Sequence, residues 1–264
     1  MIRLPARTEF GSGAFIRSLV LSTPAPGRLS LGMEDPVHAF QIDFSHRAGL
    51  ITEVHAHWER RPMSSCAGAP DALAAMVGCR LSDSVFDVAR HTDANQQCTH
   101  LHDMFCIGAT HAQQRRPDCR WDVIVPDAVE GSSTATLYRN GEPVLEFEVA
   151  ADMLTLLAPE ACRGISVLKG FLAWVRANVS PELHEQYFLM QKALFLLQVQ
   201  RLDLESRVGK LAALSGPPAG ICFGSQPQRY ATAIRVGELR RFRQDSAGEL
   251  LHFFRPGGAK PGSP

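Results

Sequence analysis

Polar and apolar positions alternate in two adjacent stretches early in the chain. His38, Phe40, Ile42 and Phe44 fall on one side, and Val37, Ala39, Gln41 and Asp43 on the other. After His46-Arg47-Ala48-Gly49, which reads as a turn, Val54, Ala56 and Trp58 oppose Glu53, His55 and His57. Successive side chains of a β-strand point to opposite faces, so this pattern predicts a hairpin with one half-polar face. Arg60-Arg61-Pro62 ends it, because proline has no N–H to give to a ladder.

The spacing then becomes helical. Ala69, Leu73, Met76 and Val77 predict a short helix closed by Gly78. A second helix is predicted from near Thr99, with Thr99 as N-cap and Leu101, Phe105, Ala109 and Ala112 as its apolar stripe, stopping before Pro117. Trp121 to Val125 reads as a strand, and Asn140-Gly141 is a strong hairpin signal between Thr134–Arg139 and Pro143–Val149. Helices are expected at Ser166 to Val179 and again from Ser180-Pro181. The second carries Leu183, Tyr187, Met190, Leu194 and Leu197 through about six turns at 3.6 residues each. Thr23 to Arg28 reads as a loop and Gly257 to Pro264 as a frayed end. A short element over Arg229 to Val236 and an apolar stretch, Leu250 to Phe254, precede that end.

The order strands, helices, strands, helices is not the regular alternation of a parallel sheet, so the fold class is α+β, with antiparallel hairpins packed on helices. The two blocks suit two lobes, 1–117 and 118–255 with a disordered tail over 256–264, or equally one domain.

Composition narrows the functions. Lys plus Arg and Asp plus Glu both number 27, so no bulk basic excess favours nucleic acid. No apolar run approaches the roughly 20 residues of a membrane span. The 45% hydrophobic content is that of a folded protein. Seven dispersed cysteines do not read as a disulfide framework, and the first residues lack a secretory pattern. The expectation is a cytoplasmic protein with reduced thiols and no membrane partner.

Eight of the ten histidines and four of the seven cysteines lie between residues 38 and 111. They form three clusters: His55-x-His57 followed by Arg60 and Arg61; Cys66; and Cys98-Thr99-His100-Leu101-His102-Asp103. A thiol at a helix N-terminus can have a lowered pKa and act as a nucleophile. Its plainer reading is a small buried hydrophobe. His100 and His102 are about 200° apart on a helix, so one suits a site and the other a structural role. Arg61 is held extended by Pro62 and suits a fixed fork for a carboxylate or phenolate. Zinc would need His55, His57 and a cysteine such as Cys66 or Cys98, but no Cys-x-x-Cys or His-Glu-x-x-His motif supports it. Glycine-rich nucleotide loops and the Gly-x-Ser-x-Gly elbow are also missing, so no cofactor is expected.

His38-Ala-Phe-Gln-Ile-Asp-Phe, Gly49-Leu-Ile-Thr-Glu-Val-His-Ala, Arg61-Pro-Met-Ser-Ser-Cys66 and Cys98-Thr-His-Leu-His-Asp resemble the bacterial family known as domain of unknown function 2889, over roughly residues 36–115. The matching positions are His38, Asp43, Arg61, Cys66, Cys98, Thr99 and His100. The family carries no settled activity. The second half, at Gly164 to Trp174 and Cys222 to Arg229, resembles longer relatives encoded beside genes for aromatic-compound breakdown, an association rather than a mechanism.

The leading expectation is a cofactor-independent lyase acting on an apolar, aromatic small molecule between the hairpin and the Cys98 helix. A lignin-derived alcohol losing formaldehyde by retro-aldol cleavage fits these parts. His100 or His55 would be the base, Arg61 the fixed cation and Cys98 a further catalytic group. His38, Asp43, His57, Trp58, Cys66 and Thr99 would bind substrate. The alternatives are a zinc- or Cys98-dependent hydrolase, and a non-catalytic oligomeric binding protein whose partner surface is the helix at 181–204. A homo-oligomer is expected under either type of function.

Overall fold

The computed structural model describes residues 10–128 and 131–258. Its frame is one antiparallel sheet of eight strands in the order β4-β3-β2-β1-β5-β6-β7-β8. The strands are β1 (Ala14–Ala25), β2 (Arg28–Glu34), β3 (Ala39–Arg47), β4 (Leu50–Arg60), β5 (Cys119–Pro126), β6 (Ser132–Arg139), β7 (Glu142–Ala150) and β8 (Leu156–Ala158). The fold is therefore α+β. The predicted boundary at 117 falls inside this frame, since β1 pairs with β5 from Ala14↔Pro126 to Leu21↔Cys119 and joins the halves into one sheet.

The hairpins follow from their turns. Ala48 and Gly49 have φ of 49° and 77°, and Asn140 and Gly141 of 51° and 87°. Two successive residues with positive φ match the twist of the flanking strands. Residues 23–28, expected to be a loop, instead carry the end of β1, a turn at Pro26-Gly27 and the start of β2.

Helices cover one face. Short helices α1 (Ala69–Ala72) and α2 (Val85–Val88) precede the long α3 (Thr99–Gln113), followed by α4 (Phe171–Asn178), α5 (His184–Leu194) and α6 (Pro227–Tyr230). The face they cover carries Phe15, Leu19 and Leu21 of β1, Leu29, Leu31 and Met33 of β2, and Phe40, Ile42 and Phe44 of β3, all buried with Leu101 and Phe105 of α3. The opposite face carries Ala14 and Ile16, packed with Phe242, Leu250 and Leu251 of the C-terminal segment.

Several predicted helices differ from those observed. Cys98, not Thr99, is the N-cap of α3, and its side chain makes no capping bond. The helix expected from Ser166 starts only at Phe171, because Gly170 sits at φ 87°. The six-turn stripe shrinks to the 11 residues of α5, with 3₁₀ turns at Pro181–Leu183 and Leu197–Gln200 on either side. Met190, Leu194 and Leu197 are buried within the chain, so they form core and not a partner surface. The tail reading at 256–264 is corrected where it is described: Gly257 N–H donates to Ser30 Oγ at 2.9 Å, holding that turn on the sheet. Residues 259–264, and the N-terminal reading at 1–9, lie outside the described residues. No described helix is long and apolar enough to cross a membrane.

Candidate functional site

Where β2 gives way to β3, the chain turns through Asp35-Pro36-Val37-His38. Asp35 is fully buried. Its Oδ1 accepts the backbone N–H groups of Val37 and His38, each at 2.8 Å. Its Oδ2 accepts Arg17 Nε at 3.1 Å and Arg17 Nη2 at 2.6 Å. Arg17 reaches it from the helix-covered face of β1 and also donates Nη1 to the Lys192 carbonyl of α5 at 2.5 Å. His38 Nδ1 lies 3.2 Å from Asp35 Oδ1. The His100 ring, from the first turn of α3, stacks on His38 with centroids 3.8 Å apart and planes at 26°.

The electrostatics follow from these contacts. Burial alone would raise the Asp35 pKa, but His38 and Arg17 reverse it and hold the carboxyl well below its ordinary range. Burial, aided by the nearby His38 and Arg17 charges, holds His100 well below the ordinary imidazole value, so it is neutral at pH 7. The ionised carboxylate at Nδ1 fixes the His38 ring, and in the neutral tautomer with its proton on Nδ1 the ring presents Nε2 as an acceptor.

Trp58 joins this pair to a sulfur-rich side. Its ring lies 6.3 Å from His38, and its Nε1 donates to the Cys66 carbonyl at 2.9 Å. Cys222 lies near enough to raise the Cys66 thiol pKa, and Cys66 and Cys222 near enough to raise that of Cys98. Burial is the larger cause: it pushes Cys66 up to about 12 and Cys98 further. Of the two readings of Cys98, an activated thiol at a helix start and a small buried hydrophobe, the burial matches the second: it outweighs the helix dipole and disfavours the thiolate.

The two adjacent arginines divide the work. Arg60 braces the turn, donating Nη2 to the Asp35 carbonyl at 2.5 Å and Nη1 to Glu34 Oε1 at 3.2 Å. Arg61 has no ion pair among the described residues, and its buried Nε lacks an acceptor.

The structure brings together His38, Trp58, Arg61, Cys66, Cys98 and His100. It does not bring His55, His57 or Asp43 to them. Asp43 faces His55 and Gln41 faces His57 across the β3–β4 ladder, and this row lies on the face opposite Phe40, Ile42 and Phe44. His55 is exposed and pairs with Glu53 at 2.9 Å, while His57 lies 3.6 Å from Glu59. Asp43 accepts Ser30 Oγ at 2.5 Å and, with His55, lines a separate groove of about 310 Å³. His55 is therefore not placed to be a base beside His100, and the zinc set of His55, His57 and a cysteine is not assembled. Among the described residues, no three His, Cys, Asp or Glu side chains are grouped to hold a metal ion. Thr99 is half-buried at the first helical position, next to the site.

Sequence reasoning missed Asp35 and Arg17. Asp35-Pro36 was a readable signal, since an Asp before proline marks a turn whose side chain bonds its own backbone. Arg17 carried a fainter one, a lone cation inside the apolar run Ala14 to Leu21.

The architecture is thus an antiparallel α+β protein with a buried carboxylate–imidazole pair at the end of its central hairpins. Residues 20–114 match the family described as protein of unknown function, DUF2889. The match starts earlier than residue 36 and so includes the end of β1 and all of β2. No curated protein matches the chain.

Proposed function

We propose that the protein is a cofactor-independent lyase that uses general acid–base chemistry on an aromatic small molecule. The observation that carries this reading is the Asp35–His38 pair, with neutral His100 stacked on it and Trp58 alongside. In the retro-aldol step, His38 Nε2 takes the proton of a substrate CH₂OH group. The C–C bond breaks, its electron pair moves into an acceptor conjugated with the ring, and formaldehyde leaves. The proton on His38 then returns to the carbon that received the pair. Arg61, on the sulfur side, supplies a cation at the other end of the substrate, toward which the charge spreads. Seven free thiols support a reducing, cytoplasmic setting. The Cys98-hydrolase reading is weaker, because burial raises the thiol that it would need as thiolate.

The test is formaldehyde release from a panel of aryl-substituted primary alcohols, with the second product followed by NMR. Wild type should release formaldehyde, and His38→Ala should lower the rate by about 100-fold or more, as expected for loss of a general base. Asp35→Asn should do likewise, while His55→Ala should stay near wild type. Full activity in His38→Ala, or no formaldehyde across the panel, would overturn the reading.

A further inference from the structure

Arg235 lies outside the family segment, on the sulfur side of the site. It is only 5% exposed. Its Nε and Nη2 donate to the Ser215 hydroxyl at 3.1 Å and carbonyl at 3.3 Å, both neutral acceptors. Glu205 acts on it electrostatically but is itself forked by Arg241 Nε and Nη2, at 2.8 and 2.9 Å. Arg61 likewise has no carboxylate partner among the described residues. Its Nε and the Ser65 hydroxyl are both buried without a hydrogen-bond partner. A guanidinium keeps its charge at any pH a folded protein meets, and a buried charge without a counter-ion is strongly unfavourable. Arg235 is such a group, and the half-buried Arg61 beside it is a second cation without a carboxylate, so the pair suits an anion from outside.

They do share a place. Met63 and Arg235 form an antiparallel bridge, flanked by Ser64 N–H to the Ile234 carbonyl and Val236 N–H to the Pro62 carbonyl, both at 2.9 Å. That pattern makes 63 and 235 a non-hydrogen-bonded pair, the kind whose side chains lie closest. Arg61 is two residues upstream, and both guanidiniums act on the Cys66 thiol. Beside them Met63, Cys66, Ala212, Tyr230 and Ala233 form an apolar cluster on which Trp58 packs, and Trp58 in turn touches the His38 side. Arg61 is half-buried, so the cluster is not sealed from solvent.

We propose that Arg61 and Arg235, with the Ser65 hydroxyl, form a carboxylate subsite, so that the substrate is an aromatic acid. Its carboxylate lies between the two guanidiniums, and its ring lies along Trp58 and Met63. The planar forks match a carboxylate, and the aromatic and sulfur wall matches a ring. The acid–base reading is needed only to say which end reacts, the end toward His38 and His100. Arg235, from the region after residue 114, would then complete a substrate-selecting site whose other members, Arg61 and Ser65, lie in the family segment.

Titration calorimetry on the full chain tests this with benzoate and cinnamate, their matched alcohols, and inorganic phosphate. The acids should bind about tenfold or more tighter than the alcohols or phosphate, the scale of a hydrogen bond to a charged group. Arg61→Gln should cost about tenfold to hundredfold of that affinity, and Arg61→Lys should recover part of it. Arg235→Gln should weaken binding similarly, with circular dichroism to verify the fold. If that variant does not fold, the Arg61 pair carries the test. Equal affinity for acid and alcohol, phosphate as tight as the acids, or unchanged binding in Arg61→Gln would each overturn the proposal. Binding is read without turnover, so absent formaldehyde release would defeat the lyase reading and leave this one standing.

Discussion

Asp35 carries a negative charge where water does not reach, and everything around it is arranged to keep that charge. Its folded pKa is held below the unfolded value of about 3.9, so its contribution to stability is complete above that pH. It is lost only as pH falls through the much lower folded value. His111 sets the milder acid limit. It is buried on α3, with Nε2 lacking a partner, and burial plus Arg116 and Arg139 bring its pKa down to about 4. A depressed folded pKa means that the unfolded chain binds the proton first. Stability from this group is therefore full above about pH 6.5 and falls between there and about pH 4, by at most roughly 3 kcal/mol. Urea melts at pH 7 and pH 5 should show the drop, and His111→Phe should flatten it. An equal slope in that variant would assign the loss to other groups, such as His102, which burial also depresses.

At the scale of elements, α3 decides how closely the histidines approach the sheet. A Cβ on Gly108 would come within 2.7 Å of Leu31 Cδ2, 3.1 Å of Phe44 Cε1 and 3.2 Å of Leu29 Cδ2. Glycine here trades helix propensity for contact. Alanine would recover about 1 kcal/mol of propensity, whereas overpacking costs roughly 1–3 kcal/mol. Gly108→Ala should therefore be neutral to mildly destabilising, and Gly108→Val should lower the urea midpoint strongly while shifting His100. Legibility in the sequence tracks this same burial. β4, β6 and β7 were readable because a partly exposed strand alternates, and β3, though buried on both faces over Ala39–Ile42, still alternates polar and apolar types after Ala39; Gly49 and Asn140-Gly141 marked turns of positive φ. β1 was not, because Ala14 to Val20 is covered on both faces and the run loses its period. β2 did alternate at Leu29, Leu31 and Met33, but Pro26-Gly27 read as loop and hid it. Arg61, Cys66, Cys98 and His100 stood out by residue type and His38 by the resemblance, and they lie near one another in the fold. Asp35 and Arg17, 18 positions apart in sequence, meet only through the β1–β2 pairing.

For the whole molecule, the C-terminal segment works as a second layer. Leu250 is 2% exposed against Ala14 and Ile16, and Leu251 N–H donates to the buried Glu34 Oε2 at 2.8 Å. Glu34 also pairs with Arg60 and Arg240, so the layer is tied to the same turn that carries Asp35. Leu250→Ala should cost about 2–4 kcal/mol, as large-to-small core changes do. Limited proteolysis should then cut within residues 238–258 before the sheet itself opens. Cutting that begins in α3 would mean that the layer is not the weaker unit.

The central place of β1 also has a cost in time. Its β2 edge is paired as soon as the hairpin is made, but its other edge waits for β5, nearly a hundred residues later. At synthesis rates of about 5–20 residues per second, that leaves a bare, mostly apolar strand edge for roughly 5–20 s on the ribosome. The chain is most open to wrong partners while its sheet is only half built, and its yield should depend on what shields that edge in the interval.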